Sequence, residues 1–99
     1  MVIMTHVIIP TESAKETGKR YIGMPPLPDY LNLKGPYIYV VEGEGIHSID
    51  IFELERAKIY DALEFLYNRH VPFFGIPGYT YSVKVCLEGE EAIKMLGLT

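Results

Sequence analysis

Between Tyr79 and Leu87 the chain alternates without a break. Tyr79, Tyr81, Val83, Val85 and Leu87 occupy the odd positions, and Thr80, Ser82, Lys84 and Cys86 the even ones. A period of two is the mark of a strand with one face in a core and the other free. The fold must therefore supply a sheet covered by helices on its odd, apolar side and mixed in character on the other.

The 99 residues suit one compact domain, residues 1–99. A globule of this size buries roughly 60 to 70% of its unfolded surface, enough to fold without a disulfide or structural metal. The single cysteine, Cys86, excludes an intramolecular disulfide and fits a reducing compartment, which points to the cytoplasm. Met1 to Ile9 is apolar, but it has no preceding Lys or Arg and no small-residue cleavage site, so it does not read as a signal peptide. Thirteen acids against nine bases give a formal charge of -4, the wrong sign for a phosphate backbone or an anionic membrane surface. No apolar run approaches the roughly 20 residues of a membrane span. Neither nucleic acid nor membrane is an expected partner.

Met1 to Ile9, rich in β-branched residues and stopped by Pro10, reads as a central strand. Thr11 to Gly23 reads as a short helix with Thr11 as N-cap, acids early, bases late, and Ala14, Gly18, Tyr21 and Ile22 on one stripe. Met24 to Gly35, with three prolines, is the longest loop. Tyr37 to Glu42 and Ile46 to Phe52 form a hairpin around Gly43-Glu44-Gly45. A loop of even length pairs Glu42 with His47 and gives the cleaner apolar face; a three-residue loop with Gly45 left-handed reverses the second strand. The even loop is the expectation. Glu55 to Arg69 is helical, with Ile59, Tyr60, Leu63, Leu66 and Tyr67 on its core stripe, Lys58, Asp61, Glu64 and Arg69 opposite, and Phe65 pointing away. His70, just beyond, is expected to cap the helix and complement its dipole. The connection His70 to Gly78 is too apolar for an exposed loop and should pack under a neighbouring chain or over a cavity mouth. Gly89 to Leu96 closes the chain as a helix with Glu90 and Glu91 in its first turn.

The order β-α-β-β-α-β-α is the split βαβ pattern of an α+β, ferredoxin-like fold with an extra C-terminal helix, antiparallel sheet order 4-1-3-2 and both long helices on one face. The open face then exposes Met4, Ile8, Tyr37, Tyr39 and Phe52, more apolar surface than a monomer normally carries. Given this element order, the short Glu42-Gly43-Glu44-Gly45-Ile46 hairpin and the passage through Glu90-Glu91-Ala92-Ile93, nearly the whole chain resembles small stand-alone members of the dimeric α+β barrel superfamily. That resemblance implies a homodimer, or a multiple of dimers, joined sheet to sheet. Better-known relatives include cofactor-independent oxygenases, muconolactone-isomerase-like enzymes and amino-acid-sensing domains. It implies no cofactor, and no family motif anchors a catalytic residue.

With the expected register, His6 on the first strand lies between Asp50 and Lys84 on the open face. An Asp can orient His6 as a general base, and Lys84 can stabilise an oxyanion or enolate. The plainer alternative is a buried polar network that fixes the dimer register. Tyr37, Tyr39, Phe52 and Ser82 are the expected ligand contacts. His6, His47 and His70 show no metal-binding spacing, so no metal site is expected. The resulting reading is a small-molecule-binding homodimer whose ligand sits between sheet and helices or between the two sheets. The alternatives are a cofactor-independent oxygenase or isomerase using His6, and a non-catalytic interaction subunit with a filled interior.

Overall fold

Val2–Ile9 is flanked by a strand on each side, as a β-branched run apolar on both faces requires. A computed structural model describes residues 1–98. They form β1 (Val2–Ile9), α1 (Ala14–Ile22), β2 (Asn32–Val41), β3 (Gly45–Glu53), α2 (Ile59–His70), β4 (Thr80–Cys86) and α3 (Gly89–Met95). The four strands make one antiparallel sheet in the order β2-β3-β1-β4, compatible with a ferredoxin-like arrangement. No helix among the described residues is long and apolar enough to cross a membrane.

Ile3, Phe52, Leu31, Ala62 and Leu66 form the core, with Val83 packed against them. On β1 and β4 the odd positions meet the helices and the even ones lie on the open face, as the alternation predicts. On β3 the parity is reversed. The hairpin loop has three residues, Val41 pairs with Gly45, and His47 lies opposite Tyr39 instead of Glu42. Gly45 makes this possible: its φ of 114° is left-handed, and a Cβ there would run into the carbonyl oxygen of Ile9. Ser48, Asp50 and Phe52 therefore point toward the helices, and Phe52 becomes a core residue at 1% exposure. His47, Ile49 and Ile51 take their places on the open face.

Three further details also correct the sequence reading. The buried side of α2 is centred on Ala62, Leu66 and His70, so Tyr60 and Tyr67 turn to solvent while Phe65 packs against the core. Thr11 does not cap α1: a 3-10 turn covers Thr11–Ser13, the Thr11 hydroxyl goes to Glu12, and Ile22 is exposed. β2 begins at Asn32, five residues earlier than expected, and has a bulge between Lys34 and Tyr37.

The apolar connection after α2 packs in part on its own chain: Phe73 reaches the cavity lining, while Val71 and Phe74 stay exposed. Phe73 and Ile76 are buried, the Ser13 hydroxyl donates to Pro77 O at 2.7 Å, and Arg20 Nη1 donates to Pro72 O at 2.8 Å. α3 opens on a capping box between Glu88 and Glu91. At the other end of the sheet the β2–β3 hairpin extends as an arm, with Tyr37, Ile38, Tyr39 and Val40 exposed on both of its faces. The radius of gyration is accordingly 15.2 Å, against about 13 Å for a compact chain of this length.

Candidate functional site

The helix-covered face of the sheet is not completely filled. Beyond the core, toward the hairpin end, a cavity of about 70 Å³ lies between sheet and helices. β1 contributes Val7 and Ile9, β3 contributes Ser48 and Asp50, and α1 contributes Thr17 and Tyr21. The end of α2 and the segment after it add Arg69, His70, Phe73 and Tyr79. Their spacing explains the convergence. Thr17 and Tyr21 are one helical turn apart, and Arg69, His70 and Phe73 follow the same face out of α2 and into the 3-10 turn Val71–Phe73.

Each polar group here is held in a particular state. Burial, helped by the neighbouring Arg69 charge, pushes the His70 imidazole down to about 4, so it is neutral at pH 7. Its Nδ1 shares a 2.7 Å hydrogen bond with the Tyr79 hydroxyl, and its ring stacks on Tyr81 with centroids 4.2 Å apart. A neutral, buried His70 does not act as the charged helix cap expected from the sequence. Tyr79 is raised above the usual phenol range, first by burial and then by Tyr81 and Asp50. Burial also raises the Asp50 carboxyl, against the opposing pull of Arg69 and the Thr5 hydroxyl. Two polar atoms in this lining are buried without a hydrogen-bond partner: Asp50 Oδ1 and Arg69 Nη1. Such atoms normally find partners, because each orphan forfeits its hydration. Both belong to residues that line the cavity, so one acceptor and one donor without partners lie buried in its wall.

The open face is arranged differently from the sequence expectation. His6 is there, with Ile49 directly opposite on β3 and Ser82 on β4; Lys84 is on the same face, opposite Met4 and exposed. Asp50 is not, because the reversed β3 parity carries it through the sheet to the cavity. The His6–Asp50–Lys84 cluster is therefore not assembled. Tyr37 and Tyr39 do share the open face with His6, opposite Ile49 and His47, whereas Phe52 is in the core on the far side. In place of Asp50, His6 meets His47: His6 Nε2 and His47 Nδ1 are 2.8 Å apart. Cys86 is a free, half-buried thiol. Among the described residues no group of three His, Cys, Asp or Glu side chains is placed to hold a metal ion.

Sequence reasoning missed Arg69, His70 and Tyr79 as neighbours of Asp50, and His47 as the partner of His6. The second omission follows from the register of β3, the first from that register together with the misjudged face of α2. The fold and cavity define the class: an α+β protein with one open four-stranded sheet, three helices and, on the covered side, a mainly apolar cavity carrying a few polar groups. Comparison with family models, with curated proteins and with solved structures found no match.

Proposed function

We propose that the protein binds a small neutral molecule in the cavity between sheet and helices, and that it works as a homodimer joined through the open sheet face. The observation that carries the ligand reading is the pair of orphaned atoms, Asp50 Oδ1 and Arg69 Nη1, in one small cavity. Asp50 and Arg69 offset each other in charge, so the complementary ligand is uncharged and offers both a carbonyl-type acceptor and an N–H or O–H donor. Val7, Ile9 and Phe73 take its apolar part. At about 70 Å³ the space is about half of a ~150 Å³ cavity that admits benzene, which limits the ligand to a few heavy atoms, such as a short amide or hydroxyketone. An open cavity also counts against the reading of a subunit with a filled interior.

Ligand-observed NMR tests this with propanamide, propanoate and butane as probes. The amide is expected to bind best, and R69M, which removes the orphaned donor, is expected to abolish its binding while leaving the fold intact. Equal signals from all three probes, or amide binding undiminished in R69M, would refute the reading.

A further inference from the structure

On the open face, remote from the cavity, the two histidines form a directed chain. His6 Nε2 and His47 Nδ1 are 2.8 Å apart and the ring centroids 5.0 Å. That separation is close to the bond plus two ring radii, so the nitrogens meet head on. Lone pairs that meet through one proton do not converge on a third point, which rules out a shared metal ion at this pair. One ring donates and the other accepts, and the next link decides which.

His47 is buried at 4% exposure, roofed by Tyr39, whose ring stacks on it with centroids 4.8 Å apart. Its Nε2 makes no hydrogen bond, and Glu44 Oε1 is 3.5 Å away. A lone pair aimed toward a carboxylate is repelled and an N–H is attracted, so His47 carries its proton on Nε2. Its Nδ1 then accepts from His6 Nε2–H. His6 is left with the lone pair on Nδ1, which makes no hydrogen bond among the described residues and is not enclosed. Around it are Ile49, Met4, Ile8 and the directly opposite Ser82, with exposed Tyr37 and Tyr39 at the edge and the Lys84 cation on the same face. This is a flat apolar bed beside a base whose tautomer is fixed from behind.

We infer that the open sheet face is a proton-abstraction site, in which His6 Nδ1 removes a proton from a flat, conjugated carbon acid lying over Ile49 and Tyr37. His6 is the catalytic residue; His47 and Glu44 are positioning residues that hold its tautomer. The site does not use the cavity, so the ligand reading can fail without it; in the proposed dimer the same face meets the partner's sheet, and the substrate would lie between the two.

The test uses a nitrobenzisoxazole, a flat carbon acid whose ring opening reports base catalysis. The ring C–H proton passes to His6 Nδ1, the C–H electron pair forms the nitrile, the N–O bond breaks toward oxygen, and a coloured phenolate leaves. The imidazolium then returns its proton to buffer. The wild-type protein is expected to accelerate the reaction about 100-fold over buffer, in the range of a positioned general base, with H6A falling to the buffer rate. E44A is expected to lose about tenfold or more, because His6 then populates both tautomers, and E44D to recover most of it. Nitrogen NMR should show an unprotonated His6 Nδ1 in the wild type and a mixture in E44A. Glu44 is an exposed loop residue, so E44A keeps the test valid even if H6A does not fold. A wild-type rate equal to that of H6A, or an E44A variant with wild-type rate and tautomer, overturns the inference.

Discussion

Acidification singles out His70. Unfolded, its imidazole takes up a proton near its ordinary value of 6.5; folded, burial and the Arg69 charge delay that to about 4. Between these values the unfolded chain holds more protons than the folded one, so stability is complete above pH 6.5 and drains away as pH falls toward 4. At about 1.4 kcal/mol per unit, the full shift corresponds to roughly 3.4 kcal/mol. Because His70 lines a cavity that water reaches, a contribution of about 2 to 3 kcal/mol is the reasonable expectation after screening. Asp50 works in the opposite sense: its raised carboxyl protonates more readily in the folded state, which returns some stability as pH falls through its range. The two are separated by comparing wild type with H70Q, which keeps a polar partner for Tyr79 but cannot take a proton. Urea unfolding followed by far-UV circular dichroism at pH 7, 6, 5 and 4 gives the difference curve, in which groups common to both proteins cancel. The wild type should lose about 2 to 3 kcal/mol more than H70Q across that range. Parallel curves, within about 0.5 kcal/mol, would show that His70 is solvated and that the cavity wall is wrongly described.

Two glycines give opposite expectations from the same substitution. G45A, at a left-handed position facing Ile9 O, should cost about 2 kcal/mol or more, whereas G18A, within α1 with open space around it, should gain about 0.5 to 1 kcal/mol; thermal melts that rank the two the other way would refute the hairpin geometry. For assembly, sedimentation at micromolar concentration should show a dimer burying on the order of 2,000 Å², weakened when Tyr37 and Tyr39 are both changed to Asp, and a stable wild-type monomer would contradict the open-face argument.

Element order, strand order and the orientation of β1 and β4 were legible because alternation and β-branching act residue by residue. The orientation of β3 was not, and the reason is specific. Its two faces, Ile46-Ser48-Asp50-Phe52 and His47-Ile49-Ile51-Glu53, are almost equally apolar, so pattern alone favours the one without an inward Asp. The choice passed to the hairpin, where a three-residue loop and a left-handed Gly45 override the pattern. An inward Asp50 is tolerated only because Arg69, Thr5 and a cavity lie beneath it, and those are tertiary facts. The end of α2 held a usable clue: Arg69 and His70 continue the Ala62–Leu66 face, so two polar side chains were bound to point inward there. The His6–His47 pair, joined across 41 residues of sequence, depends on the same register and became visible only with it.

The edge strand β2 is guarded along only half its length. Lys34, Gly35 and Pro36 place a charge, a bulge and a nitrogen without a hydrogen in its first part, each of which discourages a further strand from adding. Tyr37-Ile38-Tyr39-Val40-Val41 has no charge, proline or glycine, and its composition is that of segments that stack into cross-β fibrils. The colloidal fate of the chain thus depends on whether the arm is occupied. Where a partner covers it, the segment is withdrawn from solution. Where it lies bare, chains can add edge to edge without first unfolding, so fibril growth on long storage would begin from the native state, seeded by five residues at the tip of one hairpin.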